Sequence, residues 1–164
     1  MAHGNVLILV TGGIAAYKAC YLTRLLKQAG LAVKVAMTAS AQRFVTPMTF
    51  EVLSENPVAT DLWGEGQSKA LDHVECARWA DVAVIAPATA NILAKLAHGI
   101  ADDIVSTLLL AHPGPVLAAP AMNDNMWRHP ATQANLAALR ARGVHLLEPA
   151  SGFLACGTVS VGRM

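Results

Sequence analysis

A chain of 164 residues is long enough for one domain with a sizeable core, so it needs neither a disulfide nor a metal staple. Its formal net charge of +1, with no run of Lys or Arg, gives no electrostatic reason to expect nucleic acid or a membrane surface as a partner. Apolar residues make up 54% of the chain but aromatics only 5%, a surplus of Ala, Val, Leu and Ile that suits a parallel sheet covered on both faces; no apolar run approaches the roughly 20 residues of a membrane span, so the excess points to subunit burial.

Cys20, Cys76 and Cys156 are odd in number and widely spaced, and form neither a CxxC pair nor a zinc pattern. With no signal peptide at its start, the chain reads as cytoplasmic with reduced thiols and no metal.

Residues 5–10 form a β-rich run ending in Thr11-Gly12-Gly13. A helix follows over about 14–29, with apolar spacing at Leu22, Leu25, Leu26 and Ala29 and with Gly30 as its natural C′ residue. A second strand is expected over 33–37, then a helix to about residue 54 with Thr46 as N-cap and Pro47 at its first position. Asp72 and Glu75 have capping-box spacing before a short helix to Trp79. A strongly apolar strand covers 82–86, helices cover 89–97 (closed by Gly99) and 103–111, and a strand covers 115–119, where Pro115 is tolerable only at the first position. A helix over 130–142 is closed by Gly143, a last strand covers 144–147, and the tail from Ser151 reads as irregular. This alternation predicts one α/β domain over 1–164, with a parallel sheet and right-handed crossovers.

In such sheets ligands bind beyond the carboxyl ends of the strands. The segments there are Thr11-Gly12-Gly13, Thr38-Ala39-Ser40, the stretch from Pro87 to Asn91, and the stretch from Pro120 to Asn123, all small or polar. Gly12-Gly13 before a helix allows backbone N–H groups to face an anion, or simply makes a tight turn. A dinucleotide site usually has an acid at the end of the second strand, whereas this chain has Thr38 and Ser40, whose hydroxyls suit a phosphate. A mononucleotide such as FMN is therefore favoured over NAD, and the missing Walker lysine argues against an ATPase. Thr89 suits a helix cap, and Asn91 lies in the first turn beyond it. The mixture of Met122, Met126 and Trp127 with Asn123, Asp124 and Asn125 reads as a capped loop with a core-facing tryptophan, which leaves the asparagines unexplained.

Together these segments resemble the homo-oligomeric flavin-containing cysteine decarboxylase family. Thr11-Gly12-Gly13-Ile14-Ala15-Ala16-Tyr17-Lys18 looks like its phosphate-binding turn. Pro87-Ala88-Thr89-Ala90-Asn91 is similar to its PASANT motif, with Thr89 in place of serine, and Pro120-Ala121-Met122-Asn123-Asp124-Asn125-Met126-Trp127 matches PxMNxxMW. The segment from His73 to Asp81 resembles the family's active-site histidine segment, and Ala155-Cys156-Gly157 resembles the cysteine loop of phosphopantothenoylcysteine decarboxylases. The resemblance covers essentially the whole chain.

It implies a doubly wound, flavodoxin-like (Rossmann-type) α/β fold, FMN as cofactor, and trimers or dodecamers with the active site between subunits. It implies FMN contacts at Gly12, Gly13, Ile14, Ala15, Thr38, Ser40, Pro87, Thr89, Ala90, Asn91 and Ala121, and substrate contacts at Met122, Asn123, Met126 and Ala155. The implied reaction is decarboxylation of 4′-phosphopantothenoylcysteine in coenzyme A biosynthesis. FMN oxidises the thiol-bearing carbon to a thioaldehyde, CO2 leaves, and the electrons are returned. His73 would be the base or orienting group, Asn123 would hold the carboxylate, and Cys156 would protonate the enethiolate from a flap formed by residues 151–164. A phosphopantothenate–cysteine ligase domain is a further implied partner. Ser160 stands where the family usually has glycine, a cost of roughly 1 kcal/mol if the position needs φ > 0. The alternatives are a peptidyl-cysteine decarboxylase, whose enethiol product needs no final reduction, a flavin prenyltransferase, which would lack the PxMNxxMW and histidine pair, and a catalytically silent FMN-binding subunit.

Overall fold

The computed structural model describes residues 4–63, 72–153 and 159–164. Its strands are β1 (Asn5–Val10), β2 (Ala32–Met37), β3 (Val58–Ala59), β4 (Val82–Ala88), β5 (Val116–Pro120), β6 (His145–Leu146), β7 (Ala150–Phe153) and β8 (Val159–Arg163). Its helices are α1 (Ala16–Gln28), α2 (Pro47–Ser54), α3 (Asp72–Trp79), α4 (Ala90–His98), α5 (Ile104–Ala111), α6 (Asp124–Arg128) and α7 (Pro130–Ala141). The first six strands form one parallel sheet in the order β3-β2-β1-β4-β5-β6.

Alternation along β1 divides the core, because successive side chains of a strand point to opposite faces. Leu7 and Leu9 join Ile85, Leu93, Leu108 and Leu136 on the face covered by α3, α4, α5 and α7. Val6, Ile8 and Val10 join Ala16, Ala19 and Phe50 on the face covered by α1 and α2. Each fully buried Leu or Ile contributes about 1.5–3 kcal/mol, so both faces hold the sheet. The fold is doubly wound and flavodoxin-like. The order in which successive strands are added reverses beside β1, which lies between β2 on one side and β4 on the other, while all six strands run parallel.

Local chemistry sets the helix ends. At the end of α1, Gly30 (φ 84°) donates to the Lys27 carbonyl and Leu31 to that of Leu26, the paired bonds of a Schellman stop. Gly99 (φ 68°) and Gly143 (φ 85°) close α4 and α7 as the spacing predicted. Asp103 and Ser106 make a reciprocal capping box on α5. The expected helix to Trp79 is α3 (Asp72–Trp79), and the capping box expected at its start rests on side chains outside the described residues.

Several expectations are corrected. The apolar fourth strand continues through Pro87 to Ala88, with a register shift and a cis Ala86–Pro87 peptide. The strand expected over 144–147 shortens to His145–Leu146. The tail is an antiparallel hairpin, β7 with β8, rather than irregular chain. Ser160 pairs with Gly152 in that hairpin, an extended position that does not call for the left-handed backbone glycine favours. β3 and α6 have no counterpart in the sequence reading. Among the described residues no helix is long and apolar enough to cross a membrane.

Candidate active site

A cavity of about 960 Å³ opens where the tips of β1 and β4 diverge, the crevice in which open α/β sheets bind ligands. Pockets that enclose one drug-sized ligand span about 300–1,000 Å³, so this one is at the roomy end. Thr11 ties its floor: its hydroxyl donates to the Pro87 carbonyl at 2.6 Å and accepts from the Thr89 N–H at 3.3 Å. Gly12 is there because the loop after β2 comes too close for anything larger. A Cβ on Gly12 would sit 2.4 Å from the Ser40 Cβ, whereas one on Gly13 would meet nothing nearer than 3.8 Å.

Helix α1 starts on this rim without a side-chain cap and without an acid in its first turn. Ala16 and Lys18 give their N–H groups to the Gly13 and Ala15 carbonyls, and the positive dipole end of the helix is turned to the rim, where it favours an anion. Thr38 accepts from the Ala41 N–H at 3.1 Å and keeps its hydroxyl proton to donate, and Ser40 is exposed beside it. Ala39, Ala90 and Ala121 line the cavity with methyl groups only, which leaves room for a flat ring. These donors and this shape fit a mononucleotide.

The opposite wall is α4 and α6. Thr89 caps α4 through the Ile92 N–H, and Asn91 in its first turn is exposed to the cavity. Asn123 caps α6, its Oδ1 accepting from Asn125 at 2.9 Å and Met126 at 3.3 Å. The cap consumes the carbonyl end of the amide, so the Nδ2 protons are the part left to address a ligand. Met122 and Met126 supply apolar surface beside it.

Lys95, one helical turn beyond Asn91, also lines the cavity. Its ammonium lies 2.6 Å from Asp102 and 2.7 Å from Asp103, with the lysine side chain mostly buried. Burial works against its charge, but the hydrogen bonds to both acids outweigh this and raise its pKa. For Asp103 burial pushes the carboxyl up, and Lys95 together with the Ser106 N–H and hydroxyl pulls it further down, so it ends below the ordinary range.

The cavity brings together Gly12, Gly13, Ile14, Ala15, Thr38, Ser40, Thr89, Ala90, Asn91, Ala121, Met122, Asn123 and Met126. Pro87 lies buried just beneath the lining. His73 is on α3, half-buried, and is outside the lining of a single chain. Ala155 and Cys156 fall outside the described residues. Tyr17 and Lys18, quoted only as the end of the phosphate-binding turn, also line it, and sequence reasoning missed Ile92, Lys95, Asp103 and Met164. The i, i+4 spacing of Asn91 and Lys95 was the available signal for one of them.

A family model described as Flavoprotein matches residues 1–164. The chain belongs to the flavoprotein family. Within the flavoproteins it is 52% identical over 160 residues to the coenzyme A biosynthesis bifunctional protein CoaBC of Bacillus subtilis, covering 98% of this chain and 39% of that one. The chain thus spans well under half the length of this relative. Among solved structures it resembles the FMN-dependent cysteine decarboxylase TvaF from thioviridamide biosynthesis (37% identity, TM-score 0.84, 89% of this chain and 90% of that one). It also resembles a PPC decarboxylase mutant complexed with pantothenoylaminoethenethiol (31% identity, TM-score 0.86, 99% and 91%).

Proposed function

We propose that this chain holds FMN and decarboxylates 4′-phosphopantothenoylcysteine to 4′-phosphopantetheine, in coenzyme A biosynthesis. The observation that carries the reading is one cavity with an uncapped helix N-terminus on one rim and the capped Asn123 amide on the other. Its likeness to the flavoproteins above supports it.

In this reading the first turn of α1, with Thr38 and Ser40, holds the cofactor phosphate, and Ala90, Asn91 and Ala121 lie along the ring. Bound FMN supplies a two-electron acceptor for the thiol-bearing carbon and returns the pair after CO2 leaves, so the net reaction is redox-neutral. Asn123 donates Nδ2–H to the substrate carboxylate and orients it without the charge attraction that would favour the ground state. Met122 and Met126 exclude water from the reacting end. Cys156, in the C-terminal segment expected to act as a flap, delivers the proton to the product carbon.

His73 takes or gives the thiol proton, and a neighbouring subunit brings it to the cavity. Exposed Tyr17, Tyr21 and Leu25 on α1, with Met48 and Val52 on α2, are the kind of surface a homo-oligomer buries, as a trimer or dodecamer. A phosphopantothenate–cysteine ligase domain is the expected partner, and the cytoplasm the expected location.

The test is to reconstitute the protein with FMN and incubate it with 4′-phosphopantothenoylcysteine and, separately, a peptide ending in cysteine. The expected result is a product lighter by CO2 from the first and little from the second. Turnover of the peptide alone would move the assignment to a peptidyl-cysteine decarboxylase. A yellow protein that releases CO2 from neither would make it a silent FMN-binding subunit. Sedimentation tests the assembly, and a monomer active by itself would remove the need for a neighbour's His73.

A further inference from the structure

We infer that Lys95 and Asp103, on the α4 wall of the cavity, set how readily bound FMN gives its electron pair back. The inference rests on the redox-neutral reading above, in which the same flavin must both take and return two electrons.

Among the described residues, three charged side chains line the cavity: Lys18, Lys95 and Asp103. Lys18 is on the α1 rim, where its ammonium donates to the Met164 carbonyl. Lys95 and Asp103 belong to the opposite wall, and Lys95 lies one helical turn beyond Asn91 on the same face of α4. The two charged groups are 2.7 Å apart, with only 15% of the lysine side chain and 27% of the acid exposed. Both are charged at neutral pH, since the lysine pKa is raised and that of the acid lowered.

The cap of α5 closes without this lysine, because Asp103 accepts from the Ser106 N–H at 2.8 Å and gives its own N–H to the Ser106 hydroxyl at 3.1 Å. A cation in the last turn of α4 suits the helix dipole, but a long lysine stem could meet that need from the solvent side. Here the stem turns the ammonium inward, between two acids, at the cavity wall.

Adding two electrons makes an isoalloxazine ring more negative, so a nearby cation favours the reduced form and a nearby anion the oxidised one. Apolar walls such as Ala90, Ala121 and Met122 let such fields act more strongly than in water. Lys95 alone would hold the electrons on the flavin. Asp103, within the same lining, offsets that pull. Asp102 is 59% exposed and outside the lining, so solvent screens it. The pair thus poises the ring between taking electrons and returning them.

The experiment measures the midpoint potential of FMN bound to the whole protein, by reductive titration against a reference dye with no substrate present. Asp103→Asn keeps an N-cap acceptor for α5 and removes one negative charge from the lining. At a fixed potential its reduced-to-oxidised ratio should rise about tenfold, an upward shift of about 30 mV for a two-electron couple. Lys95→Met should move the ratio about tenfold the other way, and Lys95→Gln serves if the methionine variant does not fold. Lys95→Arg, which keeps the charge, and Asp102→Asn should stay within about threefold of wild type. A merely structural tie between α4 and α5 would loosen alike in both variants and would not shift the potential in opposite directions. The inference is overturned if Asp103→Asn and Lys95→Met shift the same way, if either shifts the ratio by less than threefold, or if Asp102→Asn matches Asp103→Asn. Wild type that takes up no flavin, seen in its absorbance before any titration, would remove the cofactor reading and the inference with it. A protein whose potential responds as expected yet releases no CO2 would keep the role of the pair toward FMN and remove the reaction.

Discussion

Adding a single methyl group at Gly12 and at Gly13 separates two glycines that look alike in the sequence. A Cβ at Gly12 would lie 2.4 Å from the Ser40 Cβ, 3.0 Å from its carbonyl carbon and 3.2 Å from its carbonyl oxygen. Ordinary contacts begin near 3.4 Å, so the turn after β1 and the loop after β2 must part by about 1 Å. Neither is the free end of a long side chain. Overpacking of this kind costs about 1–3 kcal/mol, and each kcal/mol lowers the melting temperature by roughly 2–4 °C in a domain of this size. Gly13→Ala meets only Pro87 Cγ and Thr89 Cγ2, both at 3.8 Å, and should change stability by less than about 0.5 kcal/mol. Ser40→Gly in the Gly12→Ala background deletes the 2.4 Å contact but leaves the backbone ones, so it should recover part of the loss, with a coupling of about 1 kcal/mol. Thermal unfolding of Gly12→Ala, Gly13→Ala, Ser40→Gly and the Gly12→Ala/Ser40→Gly double variant beside wild type, without and with FMN, decides the matter. Equal melting temperatures for the two alanine variants, or no recovery from Ser40→Gly, would show that the close approach does not govern the choice of glycine.

Four further outcomes are expected. Asn123→Asp keeps an N-cap acceptor for α6 but loses the amide donor, so it should melt within about 0.5 kcal/mol of wild type and lose at least about 100-fold in turnover; Asn123→Ala should lose both, about 1 kcal/mol of it from the cap. Asp103 has a lowered folded pKa, so its contribution is present above the unfolded value near 4 and disappears as pH falls through the folded one; in thermal melts the gap between wild type and Asp103→Asn should close below about pH 4. Lys95 has a raised folded pKa, so its contribution is held up to about pH 10 and lost above it, and Lys95→Met should cost stability at neutral pH but little in strong alkali. Cys156→Ser should let the FMN-loaded protein accumulate the enethiol, two hydrogens lighter than the reduced product by mass spectrometry, and a variant still making fully reduced product would refute the assigned proton donor.

Much of the fold was legible because its signals are local. The apolar run of β1, the glycines that end α1, α4 and α7, and the Asp103 start of α5 each depend on residues within one turn. What escaped depends on distant chain. β3 has two residues and exists only because β2 presents an edge to it, and the β7–β8 hairpin is a pairing between residues whose glycines suggested disorder of pattern. Asn123 was read as either a loop cap or a ligand group, and its geometry shows the cap, with the amide Nδ2 not used by it. Lys95 was passed over because a lysine on a helix carries no motif until the cavity beside it is known. His73 was legible only as a member of a motif, and it lies half-buried on α3, outside the cavity lining.

The two-residue strands at either margin of the sheet carry a consequence for how copies of the chain meet. With β3 at one border and β6 at the other, each border offers only two residues of backbone to a newcomer. Strand addition therefore has little to grip, which guards the native molecule against runaway stacking. The exposed apolar side chains on α1 and α2 offer a copy of the chain a broader surface than these borders do.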